Sequence, residues 1–287
     1  MKTKVSVIIP TYNREQELLK AVDSVIQQTI QVDEILIIND GLLDEKIQTY
    51  LLSLDNNIQI HHNSQSLGGN FSRNRGARLS TGNILMFLDD DDTWNKDKVA
   101  KQLDIFANDS SIGLVYSNRN VVDAQGKVSR KIKSKSEGNL YPQIFYENLI
   151  GGTSSVAIRR ETFFQAGAFD EKLPALQDYD LWIRICRISN IGLDKSCTVN
   201  YRVIGNFSGQ ITGSIEKKKV AVSHILIKYQ QEISELGFIA SRKVKSKLYL
   251  SLARSVRGKD YTLCCKYSFR SFLFYPSLRA LFFMLPF

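Results

Sequence analysis

Short apolar runs alternate with longer amphipathic stretches through the first third of the chain. Val5-Ser-Val-Ile-Ile reads as a buried strand. Glu15 to Gln28 follows, with Leu18, Leu19, Val22, Val25 and Ile26 recurring at helical spacing. The pattern repeats as Glu34-Ile-Leu-Ile-Ile, a helix around Asp44 to Leu54, the strand Ile58-Gln-Ile-His, a helix from about Gly69 to Ser80, and the strand Ile84 to Leu88. Strands separated by helices predict an α/β fold with a mainly parallel sheet covered on both faces. Ser117 to about Gly138 turns polar and predicts an exposed hairpin or loop. A second section runs from Tyr141 to about Gly205, with a strand at Ser154 to Ile158 and a helix from Gln177 to Ile188. From Ile215 onward the chain reads as helical.

Composition adds one feature to this picture. The 287 residues carry a formal charge of +9 and are 43% hydrophobic, enough for a large core. Residues 215–287 hold 14 Lys+Arg against 4 Asp+Glu, so the rest of the chain is nearly neutral. The expected organisation is therefore a body over 1–214 and a basic helical extension over 215–287. Within the body, the halves are expected to divide near residue 117. Basic residues mixed with apolar ones in the extension point to an anionic membrane face, or to a helical pair packed on the body. Nucleic acid is not the expected partner.

The four cysteines, Cys186, Cys197, Cys264 and Cys265, show no metal-ligand spacing, so no zinc site is expected. The apolar run after Met1-Lys-Thr-Lys is too short for a signal peptide, which makes a cytoplasmic location, peripheral on the inner membrane face, the expectation. The Asn206-Phe-Ser sequon carries no weight in that setting.

Candidate chemistry gathers at strand ends. In an α/β sheet, ligands bind beyond the carboxyl ends of the strands. The first strand ends in Pro10-Thr-Tyr-Asn-Arg, the second in Asn39-Asp40-Gly41, and the strand Ile84 to Leu88 in Asp89-Asp90-Asp91-Asp92. Strand alternation predicts Asp89 and Asp91 on one side and Asp90 on the other. Paired carboxylates suit a hard divalent ion, Mg²⁺ or Mn²⁺, shared with substrate phosphates. Asp92 is expected to cap the helix holding Val99, Leu103 and Phe106. Asp40 is placed to bond a ligand, and Arg73, after Gly68-Gly69, to reach a diphosphate. Asp178, at a helix start, lies on the same stripe as Leu181, Trp182 and Ile185.

Taken in order, these pieces resemble the family 2 glycosyltransferases, inverting enzymes of the Rossmann-like GT-A fold. The matching segments are Val5-Ser-Val-Ile-Ile-Pro-Thr-Tyr-Asn-Arg, Glu34-Ile-Leu-Ile-Ile-Asn-Asp-Gly, Gly68 with Arg73-Asn-Arg-Gly, Gly82-Asn-Ile-Leu-Met-Phe-Leu-Asp-Asp-Asp-Asp-Thr-Trp, Arg160 with Gly167-Ala-Phe-Asp-Glu, and Gln177-Asp-Tyr-Asp-Leu-Trp-Ile-Arg. The resemblance covers roughly residues 4 to 190. It implies that Pro10, Thr11 and Tyr12 line a nucleoside pocket, that Asp40 accepts the base N3–H, and that Arg73 and Asp89 lie near the nucleotide. It further implies that Asp89 and Asp91 form the family's DxD element with Asp91 on the metal, and that Asp178 is the catalytic base. The chain departs from the pattern at Asn39, Leu42, Leu43, Asp90 and Gln177, none of which removes a proposed chemical group.

The implied activity is transfer of a sugar from a nucleotide-sugar donor, a UDP-sugar above all, to a saccharide or lipid-linked acceptor in bacterial surface polysaccharide synthesis. Two other classes compete with it. A sugar-nucleotide pyrophosphorylase expects a glycine-rich first turn, which Pro10-Thr-Tyr-Asn lacks. A catalytically silent nucleotide-sugar-binding or membrane-associated basic protein would not need the acidic set.

Overall fold

The computed structural model describes residues 3–202 and 214–285, so the Asn206 sequon lies outside the described residues. The chain divides into two compact units. One takes Met1–Leu140, Leu149–Asp170 and Arg184–Gly205, the other Tyr141–Asn148, Glu171–Ile183 and Asn206–Phe287.

The first unit is built on a nine-stranded sheet: β1 (Val5–Thr11), β2 (Glu34–Asn39), β3 (Ile58–His62), β4 (Ile84–Phe87), β5 (Thr93–Trp94), β6 (Ile112–Val122), β7 (Val128–Ile132), β8 (Val156–Arg159) and β9 (Asn190–Arg202). The order is β3-β2-β1-β4-β8-β6-β9-β5, with β7 beside β6. The four strands β3-β2-β1-β4 are mutually parallel. β8 then runs antiparallel to both β4 and β6, and β6 pairs parallel with β9. Helices α1 (Glu15–Ile26), α2 (Glu45–Leu54), α3 (Gly69–Leu79), α4 (Lys98–Asn108) and α5 (Arg160–Gln165) connect these strands.

Every residue of β2, and all of β1 except the half-buried Pro10, is buried, which is why their sequences are near-continuous apolar runs. Leu18, Val22 and Val25 of α1 join Val7, Ile9, Ile35 and Ile37 in one core. The opposite face takes α3, whose Gly76 sits so close that a Cβ there would meet Ile8 Cγ2 at 2.5 Å. One buried carboxylate fastens the amino ends of these strands. Glu34 accepts from Ser6 Oγ at 2.5 Å, from the Thr81 amide at 2.5 Å and from the Gly82 amide at 3.2 Å. Burial pushes its pKa up, but these bonds outweigh that and hold it below the ordinary value.

Ser117 to Val122, expected to be exposed, is instead the inner part of β6. Ser117, Asn118 and Asn120 are 2%, 4% and 7% exposed. Neighbouring strands supply their partners: Asn118 Nδ2 donates to Lys195 O at 2.8 Å and Asn120 Nδ2 to Asn200 Oδ1 at 2.9 Å. Only the following hairpin with β7 is exposed, as expected.

The second unit holds the first turns of α6 (Gln177–Cys186), with α7 (Ile215–Lys228), α8 (Gln230–Glu235), α9 (Phe238–Val256), α10 (Tyr261–Phe274) and α11 (Leu278–Met284). Tyr141–Asn148 and Glu171–Ile183 join these helices through specific contacts. Asp180, fully buried, accepts from Lys228 Nζ at 2.8 Å and from the Tyr229 hydroxyl at 2.8 Å. The Tyr179 hydroxyl donates to the carbonyls of Ile144 and Phe145, and the Phe145 ring meets Tyr229 edge-on.

Candidate functional site

Because β3, β2, β1 and β4 are adjacent and parallel, their carboxyl ends open on one edge of the first unit. That edge holds Pro10, Thr11, Tyr12, Asp40, Arg73, Asp89 and Asp91, which the structure therefore brings together. Direct bonds tie the strand ends to each other. The Asp40 amide donates to Thr11 O at 2.9 Å, and the Leu42 amide to Asn13 Oδ1 at 2.8 Å. Asn13 itself sits in the left-handed region at φ 53°, a conformation asparagine tolerates. Tyr12 is 53% exposed, its ring against Gly41, where an added Cβ would come within 3.0 Å of it.

Asp40 is buried and closely held. It accepts from Asn63 Nδ2 at 2.6 Å, Ser66 Oγ at 3.0 Å, the Leu67 amide at 2.8 Å and the Gly68 amide at 2.7 Å. Four donors fill the acceptor sites of one carboxylate. It thereby fixes the loop that turns into α3 at Gly68, whose φ of 86° suits glycine.

The acidic run departs from the alternation expected of it. β4 ends at Phe87, and Asp90 and Asp91 form a turn, so successive side chains no longer alternate. Asp90 and Asp91 share one cation: Arg14 lies 3.2 Å from Asp90 Oδ1 and 2.9 Å from Asp91 Oδ2. Asp90 also accepts from Thr11 Oγ1 at 2.9 Å. Burial raises the Asp90 pKa to about 6, against the pull of Arg14 and Thr11. Asp89 faces another cation, Arg73, at 2.5 Å, and accepts from Thr153 Oγ1 at 3.1 and 3.0 Å through its two oxygens. Asp92 does not cap the next helix. It is 2% exposed and accepts from the Arg202 amide at 3.2 Å, whereas α4 starts only at Lys98 behind Asp97. Burial, with Asp89 and Asp91 acting the same way, raises the Asp92 pKa well above the ordinary value.

The turn Thr153–Ser155 is a participant that the sequence did not announce. Ser154 Oγ accepts from the Asp89 amide at 3.1 Å, and Ser154 O from Trp94 Nε1 at 2.9 Å. Gln102 Nε2 donates to Ser155 O at 2.8 Å. Arg14 was equally unassigned. Its only signal is a cation at one strand end facing acids at the neighbouring one.

Asp178 belongs to the second unit. Its Oδ1 accepts from the Tyr179 amide at 2.7 Å and its Oδ2 from Asn148 Nδ2 at 3.3 Å. In the same unit, burial lowers the pKa of Lys218 to about 8, with Arg254 adding to that shift and Asp178 opposing it.

Among the described residues no group of three or more His, Cys, Asp or Glu is arranged to hold a metal ion. The donor set at Asp89 and Asp91 is two hard carboxylates, with side chains 31% and 12% exposed. That set fits Mg²⁺ or Mn²⁺ in the mode where substrate phosphates complete the shell, and does not fit an all-protein cage.

Residues 6–171 match the family model for glycosyl transferase family 2. An uncharacterized glycosyltransferase of Rickettsia felis is 29% identical over 260 residues, which cover 88% of this chain and 42% of that protein. Thus the chain spans about two-fifths of the length of that relative. The amylovoran biosynthesis glycosyltransferase AmsB of Erwinia amylovora is 27% identical over 226 residues, 74% of each chain. The crystal structure of S. aureus TarS 1-349 in complex with UDP-GlcNAc has the same mixed α/β GT-A fold, with TM-score 0.61 at 15% identity over 98% of this chain and 89% of that one. The matched segment runs from β1 past the acidic turn and the Thr153–Ser155 support, over more than half of the residues, and the chain belongs to glycosyl transferase family 2.

Proposed function

We propose that this glycosyltransferase moves a sugar from a UDP-sugar to a saccharide or lipid-linked acceptor in bacterial surface polysaccharide synthesis, inverting the anomeric carbon. The observation that carries the reading is the single edge of the first unit. It sets the exposed Tyr12 ring, Asp40, Arg73 and the acidic turn on adjacent parallel strand ends. UDP as the nucleotide is supported by the fold shared with TarS, whose structure contains UDP-GlcNAc, and the pathway by the kinship with AmsB.

In this reading Pro10, Thr11 and Tyr12 line the nucleoside pocket and Tyr12 offers a face for the base. Asp40 takes the base N–H by exchanging one of its four donors, of which Ser66 is the longest at 3.0 Å. Arg73 places positive charge near the diphosphate and orients Asp89. Asp91, with Asp89, would hold Mn²⁺ or Mg²⁺, which neutralises charge on the leaving diphosphate when bound. Asp178 takes the proton of the acceptor hydroxyl as that oxygen attacks the anomeric carbon. The Tyr179 amide fixes its Oδ1, and the acceptor hydroxyl replaces the longer bond from Asn148 at Oδ2. The basic second unit provides peripheral contact with an anionic membrane on the cytoplasmic side. Among the described residues no helix is long and apolar enough to cross one.

The test is UDP release from a panel of UDP-sugars, with and without Mn²⁺, for the natural chain and for Asp91→Asn. Metal-dependent release lost in the variant supports the reading. Failure of every UDP-sugar to bind, read as no thermal shift with Mn²⁺ present, would refute it.

A further inference from the structure

α11 presents the wrong face to solvent for an ordinary surface helix. Leu278, Leu281 and Phe282 recur at i, i+3 and i+4 on one stripe, Leu285 follows at the C-cap, and the four are 85%, 46%, 55% and 56% exposed. The inward positions are Ala280 and Phe283, 0% and 8% exposed. On α10, Phe269 and Leu273, one turn apart, are 54% and 57% exposed.

Side-chain bonds to the carbonyls of α11 tie the helix to its neighbours. The Tyr261 hydroxyl donates to Met284 O at 2.9 Å, Cys264 Sγ to Phe283 O at 3.3 Å, and Arg257 to Phe282 O at 3.1 Å. The Arg257 guanidinium also stacks over the rings of Phe282 and Phe283, at 4.3 and 4.7 Å. Ser277 Oγ caps the helix by accepting from the Ala280 amide at 3.2 Å.

Charge selects the occupant. From Lys243 to Leu285 the chain carries nine Lys and Arg and one acid, Asp260. Asp260 caps α10, accepting from the Leu263 amide at 2.8 Å. Arg254 and Arg279, with Leu278, Phe282 and Phe283, line an open cavity of about 610 Å³. A second copy of this chain would set two surfaces of the same sign against each other. Protein interfaces are depleted in lysine at their cores. An amphipathic helix whose exposed leucines and phenylalanines are flanked by cations matches the boundary between headgroups and acyl chains of an anionic bilayer.

We propose that α11 is the membrane anchor of this protein. Leu278, Leu281, Phe282 and Leu285 enter the bilayer surface, and the cavity between Arg254 and Arg279 takes the phosphate of an anionic phospholipid above Phe282 and Phe283. This assignment rests on the peripheral membrane contact proposed above and gives that contact its residues.

The test is flotation of the full chain with vesicles of phosphatidylcholine alone, or of phosphatidylcholine with a quarter phosphatidylglycerol. The natural chain is expected to float with the anionic vesicles. Arg254→Gln with Arg279→Gln, and separately Leu278→Ser with Phe282→Ser, are each expected to weaken binding roughly tenfold or more. Val220→Ser with Ile227→Ser, exposed apolar positions on α7, is expected to bind as the natural chain does. Circular dichroism checks that each variant is folded. If the natural chain floats with neither vesicle, the membrane contact itself is refuted. If it floats and the α11 variants float equally well, only the α11 assignment falls. Equal flotation on neutral vesicles overturns the arginine phosphate site. A dimer that Leu278→Ser with Phe282→Ser dissociates, without vesicle binding, overturns the anchor in favour of self-association.

Discussion

Asp40→Asn separates what this carboxylate does for the fold from the nucleotide contact proposed for it. The carboxylate accepts four hydrogen bonds, from Asn63, Ser66 and the amides of Leu67 and Gly68. An asparagine of the same shape has one oxygen, which accepts two, and an amide that accepts none, so two donors lose their partner. Bonds to a charged acceptor contribute about 1.5–3 kcal/mol each. The loop itself is exposed at Ser66, Leu67 and Gly68, so the released donors turn to water and each lost bond costs about 1 kcal/mol, below that range. The expected cost is therefore about 2 kcal/mol in total. For a unit of this size that corresponds to a drop in Tm of roughly 4–8 °C. Urea unfolding and thermal melting of the full chain, without nucleotide, measure it. Loosening of the loop before α3 is also expected to raise amide hydrogen exchange at Leu67 and Gly68. A variant that melts within about 1 °C of the natural chain, with unchanged exchange at those amides, would refute the structural role of the four bonds.

Three further outcomes are expected. Asp178→Asn keeps the fold and lowers acceptor-dependent UDP release about 10²–10⁴-fold with little change in donor KM, which steady-state kinetics reads. Lys218 donates to Ser255 Oγ and Ser251 O, and burial holds its pKa at about 8 in the folded state, below the ordinary 10.5. Between those values the unfolded state binds more protons, so this group makes stability rise with pH by roughly 3 kcal/mol, a slope that Lys218→Met removes in urea unfolding at pH 8 and 10. Gly76→Ala gains helix propensity but drives a Cβ into Ile8 in a filled core, for a net loss of about 1–2 kcal/mol by denaturant midpoint.

The first four strands were legible because a central strand covered on both faces must be written in apolar residues, and because polar residues at its carboxyl end then stand out. The acidic turn and Asp40 were found on that contrast. Their partners were not, since Arg14 pairs across 76 and 77 residues and Thr153 across 64, distances at which no periodicity operates. Alternation failed for Asp89 to Asp92 because it holds only while the strand continues, and β4 stops at Phe87. The inner part of β6 looked exposed because Ser117, Asn118 and Asn120 are polar, yet flanking strands supply their partners. Similarly, the affiliation of Tyr141–Asn148 and Glu171–Ile183 with the C-terminal helices depends on Asp180 finding Lys228 and Tyr229, a long-range choice that neither segment encodes alone.

Arg14 gives the acidic turn a resident counterion. With one guanidinium shared between Asp90 and Asp91, the turn closes without waiting for an ion from solution. Under the metal-dependent reading proposed above, folding and metal loading would be uncoupled, unlike small domains whose ligands assemble only around their metal. On that proposal a newly made chain would reach its final shape in a metal-poor cell and take up a divalent ion later, together with the phosphates that complete its shell.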